Sequence, residues 1–201
     1  MPGASKIKLA VLISGSGSNL QALIKACNDP SYPAEIAVVI SNKDNARGLK
    51  RATDAGIPTH VINHLDHDGR EGFDAALVET LAPYGVDLIC LAGFMRILTP
   101  VFIEAFEGRI LNTHPSLLPR HGGEGMYGMH VHEAVIQAGD KESGCTIHKV
   151  IVDVDRGPVV LQKQVSVESG DTAENLAARV LAQEHIAYVE AVRMIANEIL
   201  D

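Results

Sequence analysis

Asn112 and His114 close a short apolar run, RILNTHP, and Pro115 follows at once. In an extended strand residues i and i+2 project to the same side, so an amide and an imidazole are expected together at the carboxyl end of this strand. Pro115 has no backbone N–H, stops the ladder and fixes the direction of exit. An amide donor beside an imidazole suits a carbonyl that is becoming an oxyanion. A plain strand terminus with a satisfied histidine accounts for the same letters, so the pair alone leaves both readings open.

Three other stretches place polar groups at element ends. In LISGSGSNLQAL, Gly15 and Gly17 permit a tight turn and a helix begins near Ser18 and Asn19, with Ser18 as its N-cap. Free N–H groups at a helix N-terminus suit a phosphate; an ordinary capped turn fits equally well. The third glycine of GxGxxG and the GK[ST] of a Walker A loop are missing. No acidic residue ends the next strand, VVISNKDN, as dinucleotide binding would ask. Asp153 and Asp155 close HKVIVDVDRGP. A carboxylate there can hold an imidazole charged, yet aspartate before Gly-Pro is also turn chemistry. Turn chemistry is the expectation for Asp153; for Asp155 the pattern decides nothing. Glu184 falls on the apolar stripe of Ala173, Leu176, Ala177, Val180, Ala187 and Ala191. It needs a partner or a ligand amine or hydroxyl, unless it sits at a helix edge and reaches water. His121, His130 and His132 stand among glycines with no carboxylate or thiolate at ligand spacing. Residues 120–131 therefore read as a mobile loop, and no metal is expected.

These residues need a frame. Apolar β-branched runs (IKLAVLI, AEIAVVIS, PTHVIN, VDLICLA, GRILNTH, CTIHKVIVDV and PVVLQKQVSV) alternate with helical patterns. Leu20, Leu23, Ile24 and Cys27 share one helix face, as do Phe73, Leu77 and Leu81. The pattern predicts an α/β protein: an open, mostly parallel twisted sheet with helices on both faces. VVLQKQVSV alternates strictly after an Arg-Gly-Pro turn and is expected to pair antiparallel with the strand before it. A long last helix starts from Asp171, with Asp171 and Glu174 as a capping box. In such sheets ligands sit beyond the carboxyl ends of the strands.

The chain's 201 residues suit one domain, 1–201, with ordinary hydrophobic (46%) and charged (21%) content. No apolar run approaches the roughly 18 residues of a membrane span. LAVLI near the N-terminus leads straight into a Gly/Ser turn and reads as a first strand, not a signal peptide. Cys27, Cys90 and Cys145 are scattered in apolar surroundings, as free thiols in a reducing compartment would be. A net charge of −8 and 4% aromatic residues disfavour a nucleic-acid partner. An anionic substrate would need local positive groups.

Taken in order, VLISGSGSNLQAL, SNKDNARGL, AGIPTH, LAGFMRIL, LNTHPSLLP, GDKESGCTIH, VDRGPVVLQ and QEHIAYVE resemble the phosphoribosylglycinamide formyltransferase family over nearly the whole chain. The spacing GFMRIL…NxHPSLLP…DxGP is the most specific part. The resemblance implies a Rossmann-like formyltransferase fold in a cytoplasmic enzyme of purine biosynthesis. A formyl group would pass from N10-formyltetrahydrofolate, the co-substrate, to the amine of glycinamide ribonucleotide, with no acyl-enzyme. The resemblance places the catalytic trio on Asn112, His114 and Asp155, with Asp155 raising the pKa of a protonated His114. It places the ribonucleotide phosphate on Gly17, Ser18 and Asn19, and its ribose or glycinamide end on Glu184. The folate is expected along Met95, Arg96, Ile97 and Leu98 and along Ile151, Val152, Asp153, Val154 and Asp155, with Arg70 nearby and Asn112 at the reacting end. The N-terminal half would thus hold the phosphate and the C-terminal half the folate. Partners are expected to be small molecules, with no membrane or nucleic acid, in a monomer or homodimer.

The segment RHGGEGMYGMHVH departs from the family's shorter loop and keeps only Gly128, His130 and His132 of its end. Its glycines suggest a lid over the folate. Formyltetrahydrofolate deformylase and methionyl-tRNA formyltransferase share the trio, but normally carry a regulatory and an RNA-binding domain respectively. Neither is expected here. A non-catalytic nucleotide-binding module would have no use for the trio.

Overall fold

A computed structural model describes residues 5–201; the first four residues of the N-terminal stretch read above lie outside it. The strands are β1 (Ile7–Ile13), β2 (Ala34–Ser41), β3 (Thr59–Val61), β4 (Leu88–Leu91), β5 (Ile110–His114), β6 (Glu142–Lys149) and β7 (Val159–Ser166). They form one sheet in the order β3-β2-β1-β4-β5-β6-β7. The first five are parallel. β6 runs antiparallel to β5, and β7 antiparallel to β6. The α/β expectation is borne out, and the antiparallel portion begins one strand earlier than the β7 alternation indicated.

From β1 the chain builds outward one way through β2 and β3, then returns to the other side of β1 with β4. The order therefore reverses between β1 and β4, and at such a switch point the connections diverge and leave a crevice beyond the strand ends. The GSGSN turn leaves β1 and the GFMRIL segment leaves β4, so both open onto that crevice.

Two apolar layers cover the sheet. Leu9, Val11 and Ile13 pack with α1 (Ser18–Cys27), α2 (Arg47–Asp54), α5 (Met129–Ala138) and α6 (Ala173–Leu200). Ala10 and Leu12 face the opposite way, toward α3 (Gly69–Leu81) and α4 (Pro100–Ala105). This is the period-2 alternation of a strand buried on both faces. On α6, the buried Tyr188 hydroxyl lies 3.1 Å from both the Leu91 and Leu111 carbonyls. Its single proton is shared between the neighbouring strands β4 and β5, and this fixes α6 over the sheet.

Three local expectations need correction. α6 is capped by Thr172, whose hydroxyl accepts from the Asn175 N–H, and not by Asp171. Asp171 instead receives both guanidinium arms of Arg179 and the Glu168 N–H, and a carboxylate so occupied is not free to cap. The N-cap of α1 is Gly17, at φ 69°, with Ser18 already inside the helix. A Cβ at Gly17 would lie 2.6 Å from Gly48 Cα, so only glycine lets the two backbones meet. Finally, β6 stops at Lys149 and does not run on to Asp155. The Lys149 N–H donates to Pro158 O and the Val150 N–H to Ile110 O. Residues 150–157 become a loop pinched shut at its base, with Gly157 against the Lys149 carbonyl where any Cβ would collide. That pinch turns Asp155 back toward β5.

Candidate active site

Asn112 and His114 do project together from β5, and opposite them on β6 stand His148 and Thr146 respectively. Asn112 Nδ2 is 3.2 Å from His148 Nε2. His148 Nδ1 lies 3.0 Å from the Lys149 carbonyl, an obligate acceptor, so Nδ1 carries the proton and Nε2 accepts from the amide in the neutral ring. His114 donates from Nε2 to the His121 carbonyl at 2.7 Å, and its Nδ1 stands 3.4 Å from Asp155 Oδ2. Asp155 Oδ2 also accepts the Gly123 N–H at 3.0 Å, while Oδ1 lies 3.6 Å from His148 Nε2. Behind the histidine, the buried Thr146 hydroxyl donates to Ser116 O and accepts from the Leu118 N–H and Gln162 Nε2. The NTHPS segment is thus tied down on both sides.

Two buried groups oppose each other here. Burial lowers the pKa of His114, and the Asp155 charge and the His121 carbonyl push it up without overcoming burial. Burial raises Asp155, but the His148 ring beside it, the His114 charge and the Gly123 N–H together hold it below the ordinary carboxylate range. Asp155 therefore acts on His114 in the anticipated direction, while the free protein still favours the neutral ring more than solvent would.

The turn after β1 forms a second part. Gly17 and Gly48 touch, the Gly48 N–H donates to Gly15 O at 3.0 Å, and Arg51 reaches from α2 to Ser16 O (2.9 Å) and Gln21 Oε1 (3.0 Å). A guanidinium is thus held beside the first N–H groups of α1. Asn19, buried on α1, donates to Glu184 Oε2 on α6 at 2.7 Å. Its other amide atom, Oδ1, is buried without a partner. Burial pushes Glu184 up to about 7, against the hydrogen bond from Asn19 and the Thr113 hydroxyl nearby. Glu184 is buried, not an edge residue with its carboxylate in water.

The third part is open. Met95, Ile97, Ile151 and Val152 are exposed apolar side chains, Val152 to 57%. A cavity of about 520 Å³ is lined by Asp68, Arg70, Ile97, Leu98, Thr99 and Val152. A wider cleft of about 710 Å³ is lined by Gly123, Glu124, Val152, Asp153, Val154 and Arg156. Val152 belongs to both, so residues 151–156 form the ridge between them. Arg70 donates to the Ile97 carbonyl at 2.9 Å; burial raises the Asp74 pKa, and Arg70 and the half-buried Arg96 are near enough to oppose that rise. The loop is less free than its glycines suggested. Residues 129–131 are the first turn of α5, and His121 and Gly123 are bonded into the site.

Sequence reasoning missed several supports. The Ser14 hydroxyl accepts from the Met95 N–H and donates to Asn42 Oδ1, bridging the ends of β1, β2 and β4. Buried Asp74 holds both the N–H and the hydroxyl of Thr99, fixing the wall of the smaller cavity. His148 had one available signal: it stands two after Thr146, so the two polar side chains share one face of the strand. Among the described residues no cluster of three His, Cys, Asp or Glu side chains is arranged to hold a metal ion.

An open α/β sheet with an amide–imidazole–carboxylate set between a helix N-terminus and an apolar cleft defines a ligand-converting site at the strand ends. The chain belongs to the formyl transferase family, whose N-terminal domain pattern matches residues 7–192. It is 43% identical over 191 residues to the phosphoribosylglycinamide formyltransferase of Escherichia coli (strain K12), covering 95% of this chain and 88% of that one. The trifunctional purine biosynthetic protein adenosine-3 of Gallus gallus is 47% identical over 193 residues, 96% of this chain. The chain spans 19% of that relative's length. The crystal structure of glycinamide ribonucleotide transformylase 1 from Symbiobacterium toebii superposes with a TM-score of 0.91 at 46% identity, over 96% of this chain and 89% of that one.

Proposed function

We propose that this chain transfers the formyl group of N10-formyltetrahydrofolate to the amine of glycinamide ribonucleotide. The observation that carries the reading is the meeting of Asn112, His114 and Asp155 where the β1 turn and the apolar cleft converge. The name phosphoribosylglycinamide formyltransferase, carried by a relative that the chain covers to 88%, supports the acceptor and the group transferred.

The phosphate lies on the N–H groups of Gly17, Ser18 and Asn19, with the helix dipole and Arg51 supplying positive charge in an otherwise acidic protein. Glu184, and the unsatisfied Asn19 Oδ1 beside it, take the ribose or glycinamide groups. The folate ring system covers Met95, Ile97, Leu98, Ile151 and Val152. Backbone groups of residues 151–155 read its polar edge, with Arg70 at the rim and Arg96 nearby. Its formyl carbon is thereby set next to Asn112.

The neutral amine attacks that carbon, and the carbonyl electron pair moves to oxygen. The free N–H of Asn112 and the Nδ1–H that His114 carries in its imidazolium form stabilise the oxyanion. The 3.4 Å gap from Nδ1 to Asp155 is longer than a good N–H···O bond, so the oxyanion can share this proton. Negative charge appearing on the oxygen raises the His114 pKa during the reaction, offsetting its burial. Collapse of the intermediate breaks the bond from carbon to N10, and the proton lost by the amine reaches N10 through the His114–Asp155 pair or water. Asp153, exposed on the ridge, takes no proton-transfer role.

Incubating the protein with both substrates tests the reading. Formylglycinamide ribonucleotide is the expected product. Release of free formate, with the amine unmodified, would instead mark a deformylase.

A further inference from the structure

Both nitrogens of His114 face acceptors, which poses a tautomer problem. A neutral ring has one N–H, and the carboxylate of Asp155 would draw it to Nδ1. The His121 carbonyl at 2.7 Å competes for it at Nε2. The first arrangement leaves Nδ1 already donating to Asp155. The second leaves Nδ1 as the basic, working nitrogen.

Among the described residues only two non-glycines have left-handed φ, His121 at 51° and Asp155 at 55°. One faces each nitrogen of the same ring. Such backbone is costly for a residue with a Cβ and persists where the surroundings impose it. For His121 the constraint is visible: its side-chain Nε2 is 2.8 Å from Asp140 Oδ2. Asp140 follows Gly139, the C-cap of α5, and its N–H bonds Val135 O, so it is a fixed anchor. Two residues on, the Gly123 N–H holds Asp155 Oδ2. At Gly122 a Cβ would lie 2.4 Å from Leu118 Cδ2 and 3.4 Å from Asp155 Cβ, so the backbone there passes close over both residues. Residues 121–123 therefore clamp both partners of the pair at once.

We propose that His121 and Asp140 are positioning residues: their side-chain contact holds the His121 carbonyl on His114 Nε2 and so sets the tautomer in which Nδ1 is the working nitrogen. This rests on the reading of His114 as the group that serves the oxyanion. Neither residue touches substrate. The charged or titratable groups facing the His114 ring are Asp155 from the 150–157 loop, His148 from β6, His121 itself and, from α5, His132. Only the first two and the His121 backbone lie in the bonding scheme around the ring.

The test combines nitrogen-15 NMR of the free protein with kinetics, using His121→Ala, Asp140→Ala and the donor-keeping His121→Gln. The His114 signals are assigned by their loss in His114→Gln. The expected wild-type spectrum has the proton on Nε2. In both alanine variants it moves toward Nδ1, and kcat falls about 10- to 100-fold, the scale of a misplaced catalytic group, while ribonucleotide KM changes less than about twofold. His121→Gln restores the tautomer and most of kcat. If one alanine variant fails to fold, the other reads the same contact from its opposite end, and His121→Leu, which keeps bulk but has no donor, serves if both fail. An unchanged His114 tautomer in any folded alanine variant overturns the proposal, as does a wild-type proton on Nδ1. The NMR arm needs no substrate, so a failure of the formyl-transfer reading appears separately, as missing product with the tautomer shift intact.

Discussion

The two ends of the strand-end crevice are built on opposite principles. At the β1 end, Asn19 on α1 and Glu184 on α6 are 6% and 7% exposed and bonded to each other, and a glycine–glycine contact sets the start of α1 against α2. At the β4–β5 end, Met95 and Ile97 stand 47% and 46% exposed and the ridge at 151–156 is loop. A phosphate is recognised by direction, through N–H groups that must already point at it, so that end is rigid before the ligand arrives. A flat apolar ring system is recognised by area, and the protein leaves the area uncovered until the ligand covers it. His114 and Asp155 lie where the rigid end meets the open end.

The largest expected effect comes from breaking that junction. Asp155→Asn keeps the shape and the Gly123 contact but removes the charge that pushes the His114 pKa up. Burial then acts with less opposition, and the pKa falls further. At neutral pH less imidazolium serves the oxyanion, so kcat should drop by roughly 100- to 10,000-fold, the range of general acid–base help, with substrate affinities nearly unchanged. The measurement is kcat against pH; a near-normal rate with an unshifted profile would leave Asp155 a turn residue only.

Ser18→Glu strikes the rigid end alone. A carboxylate about 4 Å from a phosphate costs on the order of 4 kcal/mol per charge pair at an effective dielectric near 20, so ribonucleotide binding should weaken by about 1000-fold. Folate affinity should survive. Calorimetry with each ligand separates the two, and equal loss of both would dissolve the distinction between the ends.

Why the first of these contrasts could be argued from letters and the second only in part follows from distance along the chain. Asn112 and His114 are two residues apart in one strand, so a period of two places them together. The alternation of apolar runs likewise gave the parallel α/β sheet. Asp155 is 41 positions beyond His114, and only the pinch at Gly157 turns it back, a backbone contact no periodicity encodes. His148 reaches Asn112 through antiparallel pairing of β5 with β6, a register the pattern did not disclose. The Thr172 cap was missed because Asp171 and Thr172 are adjacent and both can cap; Arg179, eight residues on, claimed the aspartate. The residues of the open end were placed by family resemblance and not by physics, since exposed valines and methionines carry no pattern of their own.

The third effect tests how dry the rigid end is. Burial raises Glu184 from 4.5 to about 7, so between those pH values the folded protein keeps a proton that the unfolded chain releases. Stability should therefore fall as pH rises through this window, by about 3 kcal/mol in all, and level off above it. Glu184→Gln cannot titrate and keeps an acceptor for Asn19, so its stability should lack this slope. Urea unfolding at pH 5 and pH 7.5 gives the comparison, and parallel pH dependence in both proteins would mean that water reaches the carboxylate.

The smallest effect belongs to the open end and shows whether its exposure serves a ligand. Val152 lines both cavities and is 57% exposed in the free protein. Val152→Ser should hardly change unfolding stability, because an exposed side chain with no polar partner usually lies within about 0.5 kcal/mol of neutral. Complete burial of a valine is worth roughly 1.5–3 kcal/mol, and a ligand on this ridge would cover only the half that is exposed. The expected loss is then about 1 kcal/mol, near fivefold in folate Kd, with ribonucleotide Kd unmoved. A folate analogue titrated by fluorescence into both proteins makes the measurement, with thermal denaturation alongside. If Tm falls while folate affinity holds, Val152 supports the loop and the ligand lies elsewhere. If affinity falls and Tm holds, the apolar surface was left open for the ligand.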